Sequence, residues 1–590
     1  MASAFSSVLG RFSRVGAWNW TREPAFLIAV GVLAVASGVL LVVRPFASLG
    51  ALVVLIACGM FVNAFIPSDA SRSKPDRALT WCARIAWVTG GILVLAIPAL
   101  TITILVLCVV AALIIAGAVK VFQAVVGRSD GWIADALFGI SWIAFGIVAL
   151  AWPDLSVFAL SVVFGVQLIV FGVEQLGDAL RILRKKPLDA GQRKHRTWVR
   201  PVAAGMVCVL AFGALWVSSK FSGTPVPDSF YSAPHDLPAE PGTLIHSEPF
   251  TTDIPADATG WRTLYTTTAA DGSITVASAI IAAPTGSQGA PVIAWAHGTT
   301  GSAEGCAPSL LEHPFVAGAM PSINGVLAQG WAVVATDYIG LGTKGPHGYL
   351  VGESEGRSVL DAIRAAQELN EAHLGSRTAI WGHSQGGHAS LWAGGLASSY
   401  APELDIAGVA SLSPASDLAG LLAGLTQTRI GSVFGAFMIT SYAAVYDDIA
   451  LRDYVRPGAR ILVDETAKRC LTDPGTIASI ATALFADGTV WAGDPLHGSL
   501  LEHAEENTPR GIIEAPLFIG QGEADTLVLP EVQAKFVADQ CAAGQPVEYR
   551  TYPGMGHMDI VEEGSPLPGE LLEWTNGLFE GEPYSPTCGG

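Results

Sequence analysis

Thr378-Ala379-Ile380-Trp381-Gly382-His383-Ser384-Gln385-Gly386-Gly387 is the stretch on which the reading of this chain turns. An apolar run ends in Gly-x-Ser-x-Gly, and a helix-like segment from Gly387 to Leu396 follows, which is the strand, turn and helix setting of a nucleophile elbow. Such a turn is so tight that side chains at Gly382 and Gly386 would collide with the neighbouring strand and helix. It also holds the serine in a strained backbone conformation at the helix N-terminus. Ser384 is therefore the first candidate for a catalytic nucleophile.

A nucleophilic serine needs a base, and the base needs an orienting acid. His557 lies in Gly554-Met555-Gly556-His557, just after the last strand-like run, and Asp525 lies in Gly522-Glu523-Ala524-Asp525, after the run before it. The order Ser384, Asp525, His557 is the chain order of an α/β-hydrolase triad. Glu523 is the alternative acid, and Asp559 is too close to His557 in sequence to serve. For the oxyanion, one donor is the N–H of Gln385, the residue after the nucleophile. The second is expected in His297-Gly298-Thr299-Thr300-Gly301, from Thr299 with Gly298 as the alternative. His383 and His388 read as packing or hydrogen-bonding residues, and Asp447-Asp448 as a solvated turn. Neither HExxH nor a paired Cys-x-x-Cys is present, so no motif points to a metal.

Around these motifs the chain alternates strand-like and helix-like runs. Three strands open the region, Thr243 to Phe250, Trp261 to Thr268 and Ile274 to Ala283, the last two joined across Asp271-Gly272. Val292 to Ala296, Trp331 to Tyr338, helix Arg357 to Asn370, the elbow strand, Ile406 to Leu412, Pro516 to Gly520, helix Pro530 to Ala542 and Val547 to Tyr552 follow. This pattern predicts a mostly parallel sheet with helices on both faces. Small and apolar residues from about 415 to 510 interrupt it, with helix-like runs Leu418 to Leu425 and Ile477 to Phe485. They are read as an inserted helical cap, with an independent domain as the alternative.

His297-Gly298-Thr299-Thr300-Gly301, Asp337-Tyr338-Ile339-Gly340-Leu341-Gly342, Arg357-Ser358-Val359-Leu360-Asp361 and the elbow together resemble the secretory lipase family of fungi and actinobacteria, the lipase A group, over about residues 240 to 585. The resemblance implies an α/β-hydrolase fold, a large helical cap, and hydrolysis of esters or triacylglycerols without a cofactor.

The first 218 residues have a different character. Seven apolar stretches (Ala25 to Val43, Leu49 to Ile66, Ile85 to Leu100, Ile102 to Val119, Trp132 to Trp152, Val157 to Val173 and Val202 to Val217) can each cross a bilayer with their flanks. The expected fold class is a seven-span α-helical transmembrane bundle joined to an α/β-hydrolase domain. A Pro-rich linker is expected over residues 219–241, with the hydrolase domain over 242–590. Gly38 and Pro45, Gly91 and Pro98, and Gly146 and Pro153 share the spacing Gly-x6-Pro at intervals of 53 to 55 residues. They read as three duplicated hairpins, with proline at the tips and glycine allowing close packing. The arrangement resembles the short-repeat membrane family that includes the HdeD-type proteins, over about residues 20 to 178. No charge lies mid-span in the hairpins; Asn63 and Gln167 are the polar groups there, expected to hydrogen-bond between helices.

Through residue 218 there are 18 Lys+Arg and 9 Asp+Glu, and beyond it 15 and 42. Basic residues cluster at Arg11 to Arg22, Arg72 to Arg84, Lys120 to Arg128 and Arg181 to Arg200, on alternate loops. By the positive-inside bias the N-terminus is cytoplasmic and the hydrolase region lies outside the plasma membrane. The acidic balance there gives no support for nucleic-acid binding. A cleavable signal fits the first stretch poorly, since six more follow. Cys58, Cys82, Cys108 and Cys208 lie in or beside spans and read as packing residues. Cys306 with Cys470 and Cys541 with Cys588 are the disulfide candidates on chain order.

The sequence therefore predicts a membrane-embedded serine esterase or lipase whose partner is a lipid or hydrophobic ester. The same triad could transfer an acyl group to an alcohol, and a lipid-binding outer domain on a membrane sensor is the rival from another class. The natural ester and the oligomeric state are left open.

Overall fold

The structure is a computed structural model that describes residues 24–43, 85, 88–93, 95–96, 98–127, 132–184, 199–221, 224–484 and 489–588. It divides into two compact units, Met1–Ser218 and Ser219–Gly590.

The described part of the first unit includes five long helices, the last of which runs on past Ser218: α1 (Pro24–Val43), α2 (Pro98–Gly127), α3 (Trp132–Ala151), α4 (Pro153–Leu183) and α5 (Val199–Phe221). One of the repeat prolines, Pro153, opens a helix, where the missing N–H costs nothing. Glycines let the helices pack closely, and one of the pairs they join, α1 with α4, is not adjacent in sequence. A Cβ on Gly38 would stand 2.5 Å from the carbonyl of Gly165, so α1 and α4 touch backbone to backbone there, and Gly31 meets Gly172 in the same way. Gly117 and Gly139 do this for α2 and α3. The Trp152 indole donates to Ser218 Oγ at 2.8 Å, and Lys120 pairs with Asp135 at 3.6 Å. Among the described residues one helix, α3, is long and apolar enough to cross a membrane by length and composition. The expected second span, with Asn63 and Cys58, lies outside the described residues, as does Cys82.

The second unit is built on nine strands: β1 (Leu244–Pro249), β2 (Ala258–Thr268), β3 (Ile274–Pro284), β4 (Ala290–Ala296), β5 (Ala332–Thr336), β6 (Leu374–His383), β7 (Asp405–Leu412), β8 (Leu517–Gly522) and β9 (Glu548–Tyr552). They form one sheet in the order β1-β2-β3-β5-β4-β6-β7-β8-β9. β1, β2, β3 and β5 pair antiparallel, while β5, β4 and β6 to β9 run parallel. Asp271 turns the β2–β3 hairpin by accepting the N–H and hydroxyl of Ser273, and Gly272 takes φ +84°.

The central parallel strands are rich in buried apolar residues because helices cover both faces, whereas the edge strand β9, Glu548–Tyr552, is polar. On one face Ile293, Trp295, Trp381 and Phe518 pack under Leu567 and Leu571 of α14 (Pro566–Glu580). On the other, Ala294, Ile380, Val409 and Ile519 meet Leu360 and Ile363 of α6 (Gly352–Glu368), Leu391 of α7 (Gln385–Tyr400) and Phe536 of α13 (Pro530–Ala542). The helix α6 begins five residues before the expected Arg357, and α14, capped by Ser565 and opened by Pro566, was not among the expected elements.

Between β7 and β8 stand α8 (Leu418–Gln427), α9 (Gly431–Val445), α10 (Arg460–Ala467), α11 (Thr476–Leu484) and α12 (Ser499–Glu506). This cap is keyed into the sheet domain. Ser441 of α9 donates to the carbonyl of His347 at 2.5 Å and accepts from the N–H of Tyr349, and Tyr442 donates to the carbonyl of Leu350. The segment expected to be an extended linker also departs from that reading. Phe230 and Tyr231, in a short turn capped by Asp228, are buried against Leu264 and Val276. Its proline content concealed two aromatic anchors.

Candidate active site

Order reverses along the sheet between β4 and β6, so the loops after these two strands open side by side at their carboxyl ends, where open α/β sheets bind ligands. The register pairs Ala296 with Gly382. This closeness explains the glycines of the elbow. A Cβ on Gly386 would fall 1.9 Å from the Ala296 carbonyl oxygen, and one on Gly382 would fall 2.0 Å from the Gly386 carbonyl oxygen. Ser384 takes φ 57°, ψ −115°, which an L-residue adopts only under constraint.

His557, on the loop after β9, points Nε2 at Ser384 Oγ at 2.8 Å and Nδ1 at Asp525 Oδ2, also at 2.8 Å. Asp525 Oδ1 accepts the N–H groups of Leu527 and Val528 at 2.8 and 2.9 Å, and Gln521 Nε2 reaches Oδ2 at 3.2 Å. Burial works to raise this carboxyl. The hydrogen bond and charge of His557 and the two backbone N–H groups overcome that, and it sits below its ordinary range. Glu523, the alternative acid, instead accepts from Thr551 at the surface.

Of the two loop donors considered for the oxyanion, Gly298 has its N–H committed to the carbonyl of Gly318 at 2.9 Å. The Thr299 N–H has no protein acceptor among the described residues, and the residue lines the cavity with Ser384 and His557. Gln385 opens α7, so its N–H has no intrahelical acceptor. Its side chain is tied beneath the site: Nε2 donates to Glu355 Oε1 at 2.8 Å and to His347 Nε2 at 3.1 Å. Glu355 also accepts from His388 Nδ1 at 2.6 Å and from the N–H of Leu350 at 2.9 Å. Glu355, His347 and Tyr349, whose hydroxyl meets Thr299 Oγ1 at 3.0 Å, escaped the sequence reading because their roles arise only from the packing of α6 and its preceding loop. His383 hydrogen-bonds the His557 carbonyl through Nε2 at 2.9 Å and so steadies the loop that carries His557.

Cys306 is bonded to Cys470, with Cα atoms 5.1 Å apart, and Cys541 to Cys588, at 5.6 Å. The first bond joins the loop after β4 to the cap. A cavity of about 550 Å³ opens over Ser384, His557 and Thr299, walled largely by Leu311, Val316, Ala317, Phe434, Leu527 and Met558.

Three buried histidines bear on stability. Burial pushes His297 and His347 down to about 4, and burial with the nearby charge of His557 pushes His383 down to about 3. All three stay neutral in the fold while an unfolded histidine gains its proton near pH 6.5. Their contribution is complete above that pH and is lost as pH falls from 6.5 towards 4, by on the order of 3 kcal/mol each. The buried Asp337 and Asp361 are raised by burial and partly offset this. The Tm of the hydrolase unit should therefore drop steeply between pH 6.5 and 4, followed by calorimetry; a constant Tm over that window would contradict the assignment.

Residues 309–586 match the family model described as "Secretory lipase", and residues 29–80 and 137–190 match "Short repeat of unknown function (DUF308)". The chain is 28% identical over 389 residues to "Probable inactive lipase MT1628" of Mycobacterium tuberculosis, covering 61% of this chain and 84% of that one. It is 26% identical to "Lipase 6" of Candida albicans, covering 62% and 83%. Among solved structures, Candida antarctica lipase A in its closed state is similar with a TM-score of 0.52 at 22% identity, covering 62% of this chain and 89% of that chain, a likeness of fold. These matches assign a secretory-lipase domain to the C-terminal half and make the chain a carboxylic ester hydrolase.

Proposed function

We propose that the chain is a membrane-anchored serine hydrolase that cleaves carboxylic esters of lipids outside the cytoplasm through Ser384, His557 and Asp525. The observation that carries the reading is the bridge of His557 between the serine hydroxyl and the buried carboxylate, at 2.8 Å on either side. His557 takes the hydroxyl proton as Ser384 attacks the acyl carbon, and Asp525 holds the tautomer and stabilises the imidazolium. The N–H groups of Thr299 and Gln385 receive the oxyanion, the alcohol leaves with the proton from His557, and water resolves the acyl-enzyme by the same relay. One relative is named a probable inactive lipase; the connected triad supports activity here.

The apolar walls of the cavity favour a long acyl ester. The outward apolar faces of the first unit, with Leu33, Val43, Phe122 and Val209 exposed, and the alternating basic loops support seven spans with a cytoplasmic N-terminus. Hydrolysis of p-nitrophenyl esters should persist at C8 and longer, and a membrane-impermeant fluorophosphonate should label intact cells. Activity confined to acetate would defeat the lipid reading, and labelling only after lysis would defeat the topology.

A further inference from the structure

We propose that the segment from Thr224 to Tyr231, between α5 and the sheet, is a wall of the ester-binding cavity that selects which esters reach Ser384; this rests on the hydrolase reading above. Pro225 lines the cavity together with Leu471, Thr472, Asp473 and Pro474 of the cap. The segment is held at both ends. Thr224 Oγ1 lies 3.0 Å from both the Lys468 carbonyl and Asp473 Oδ2, and Asp473 Oδ2 also accepts the N–H of Cys470. At the other end the buried Tyr231 hydroxyl meets Ser309 Oγ at 2.8 Å, and Arg262 lies 4.3 Å over the Phe230 ring while bonding Asp228.

Between these anchors the chain lies directly on the loop after β4. A Cβ on Gly305 would fall 2.0 Å from the Pro225 carbonyl oxygen, so only glycine lets the segment pass. The next residue, Cys306, is bonded to Cys470, and the N–H of Leu471 donates to the carbonyl of Thr300 at 2.7 Å. The segment, the loop carrying Thr299 and the cap turn 470–474 are thus fastened into one corner. A corner pinned by a covalent bond and several hydrogen bonds cannot swing aside for a large ester, so the ring of Pro225 sets the room available there. Proline suits the place because its φ is fixed and it has no N–H to satisfy.

The test compares the ratio of kcat/KM for p-nitrophenyl octanoate to that for the acetate, in full-length protein in detergent micelles, for wild type, Pro225→Trp, Pro225→Ala and Thr224→Val. The bulky indole should lower the ratio by about 10-fold or more, and the smaller alanine should raise it. Thr224→Val, which frees the anchor without filling the cavity, should shift the ratio less than the indole does. A ratio that stays constant across all the variants would overturn the assignment of the wall, even with Ser384 still labelled by a fluorophosphonate. Wild type lacking both hydrolysis and labelling would overturn the hydrolase reading and this inference with it. Pro225→Ala and Thr224→Val keep the test decisive should the tryptophan variant fail to fold.

Discussion

Replacing Ser384 with alanine should lower ester hydrolysis by about 10⁴-fold or more, with the fold retained. The side chain removed is small, and alanine keeps the Cβ that the elbow already accommodates. The bonds that hold the turn are main-chain ones: the N–H of Ser384 donates to the Leu412 carbonyl at 2.9 Å, and its carbonyl accepts from His388 and Ala415. None depends on Oγ. Steady-state kinetics with a thermal melt measures both halves of the expectation. Activity within about 10-fold of wild type would require a different nucleophile.

Asp525→Asn should cost about 10³- to 10⁴-fold in kcat with little change in folding, for a reason visible in the hydrogen bonds. Oδ1 accepts two backbone N–H groups, from Leu527 and Val528, which an amide NH₂ cannot do. The asparagine must therefore keep its oxygen there and turn its NH₂ towards His557 Nδ1. An imidazole that accepts at Nδ1 carries its proton on Nε2 and faces Ser384 as a donor, so it cannot act as the base. Gln521 Nε2, already pointing at the same position, adds a second clash of donors. Activity should recover partially at high pH if hydroxide replaces the base, measured as a pH–rate profile. An asparagine variant with wild-type kcat at pH 7 would show that the tautomer is not set by residue 525.

That Ser384, Asp525 and His557 come together was legible because each sits at a place fixed by strong local rules. Gly382 and Gly386 are required by a backbone approach that no larger residue survives, and Asp525 and His557 follow the ends of consecutive parallel strands. The succession of β4 to β9 along the chain was readable from the alternation of strand-like and helix-like runs, whereas the sheet order that sets β4 between β5 and β6 was not read. Thr299 was expected as the second donor with Gly298 as the alternative, and what separates the two is a carbonyl at Gly318, brought in by a loop of unrelated pattern.

What escaped the reading shares a cause. Thr224 meets Asp473 across 249 residues, and Phe230 and Tyr231 were masked by surrounding prolines, so the segment looked like a free tether. In the first unit apolar character alone marks neither helix ends nor partners. A stretch expected from Val157 to Val173 lies inside the helix α4, Pro153–Leu183, and Gly38 packs against Gly165 rather than a sequence neighbour.

The central claim is that the hydroxyl of residue 384 is made nucleophilic by an imidazole oriented by a buried carboxylate. Mass analysis of full-length protein after reaction with a fluorophosphonate tests it most directly, comparing wild type with His557→Ala. A single adduct mapping to the peptide with Ser384, forming at least about 10³-fold more slowly in the histidine variant, is the predicted result. An adduct elsewhere, or equal rates in the two proteins, would contradict it.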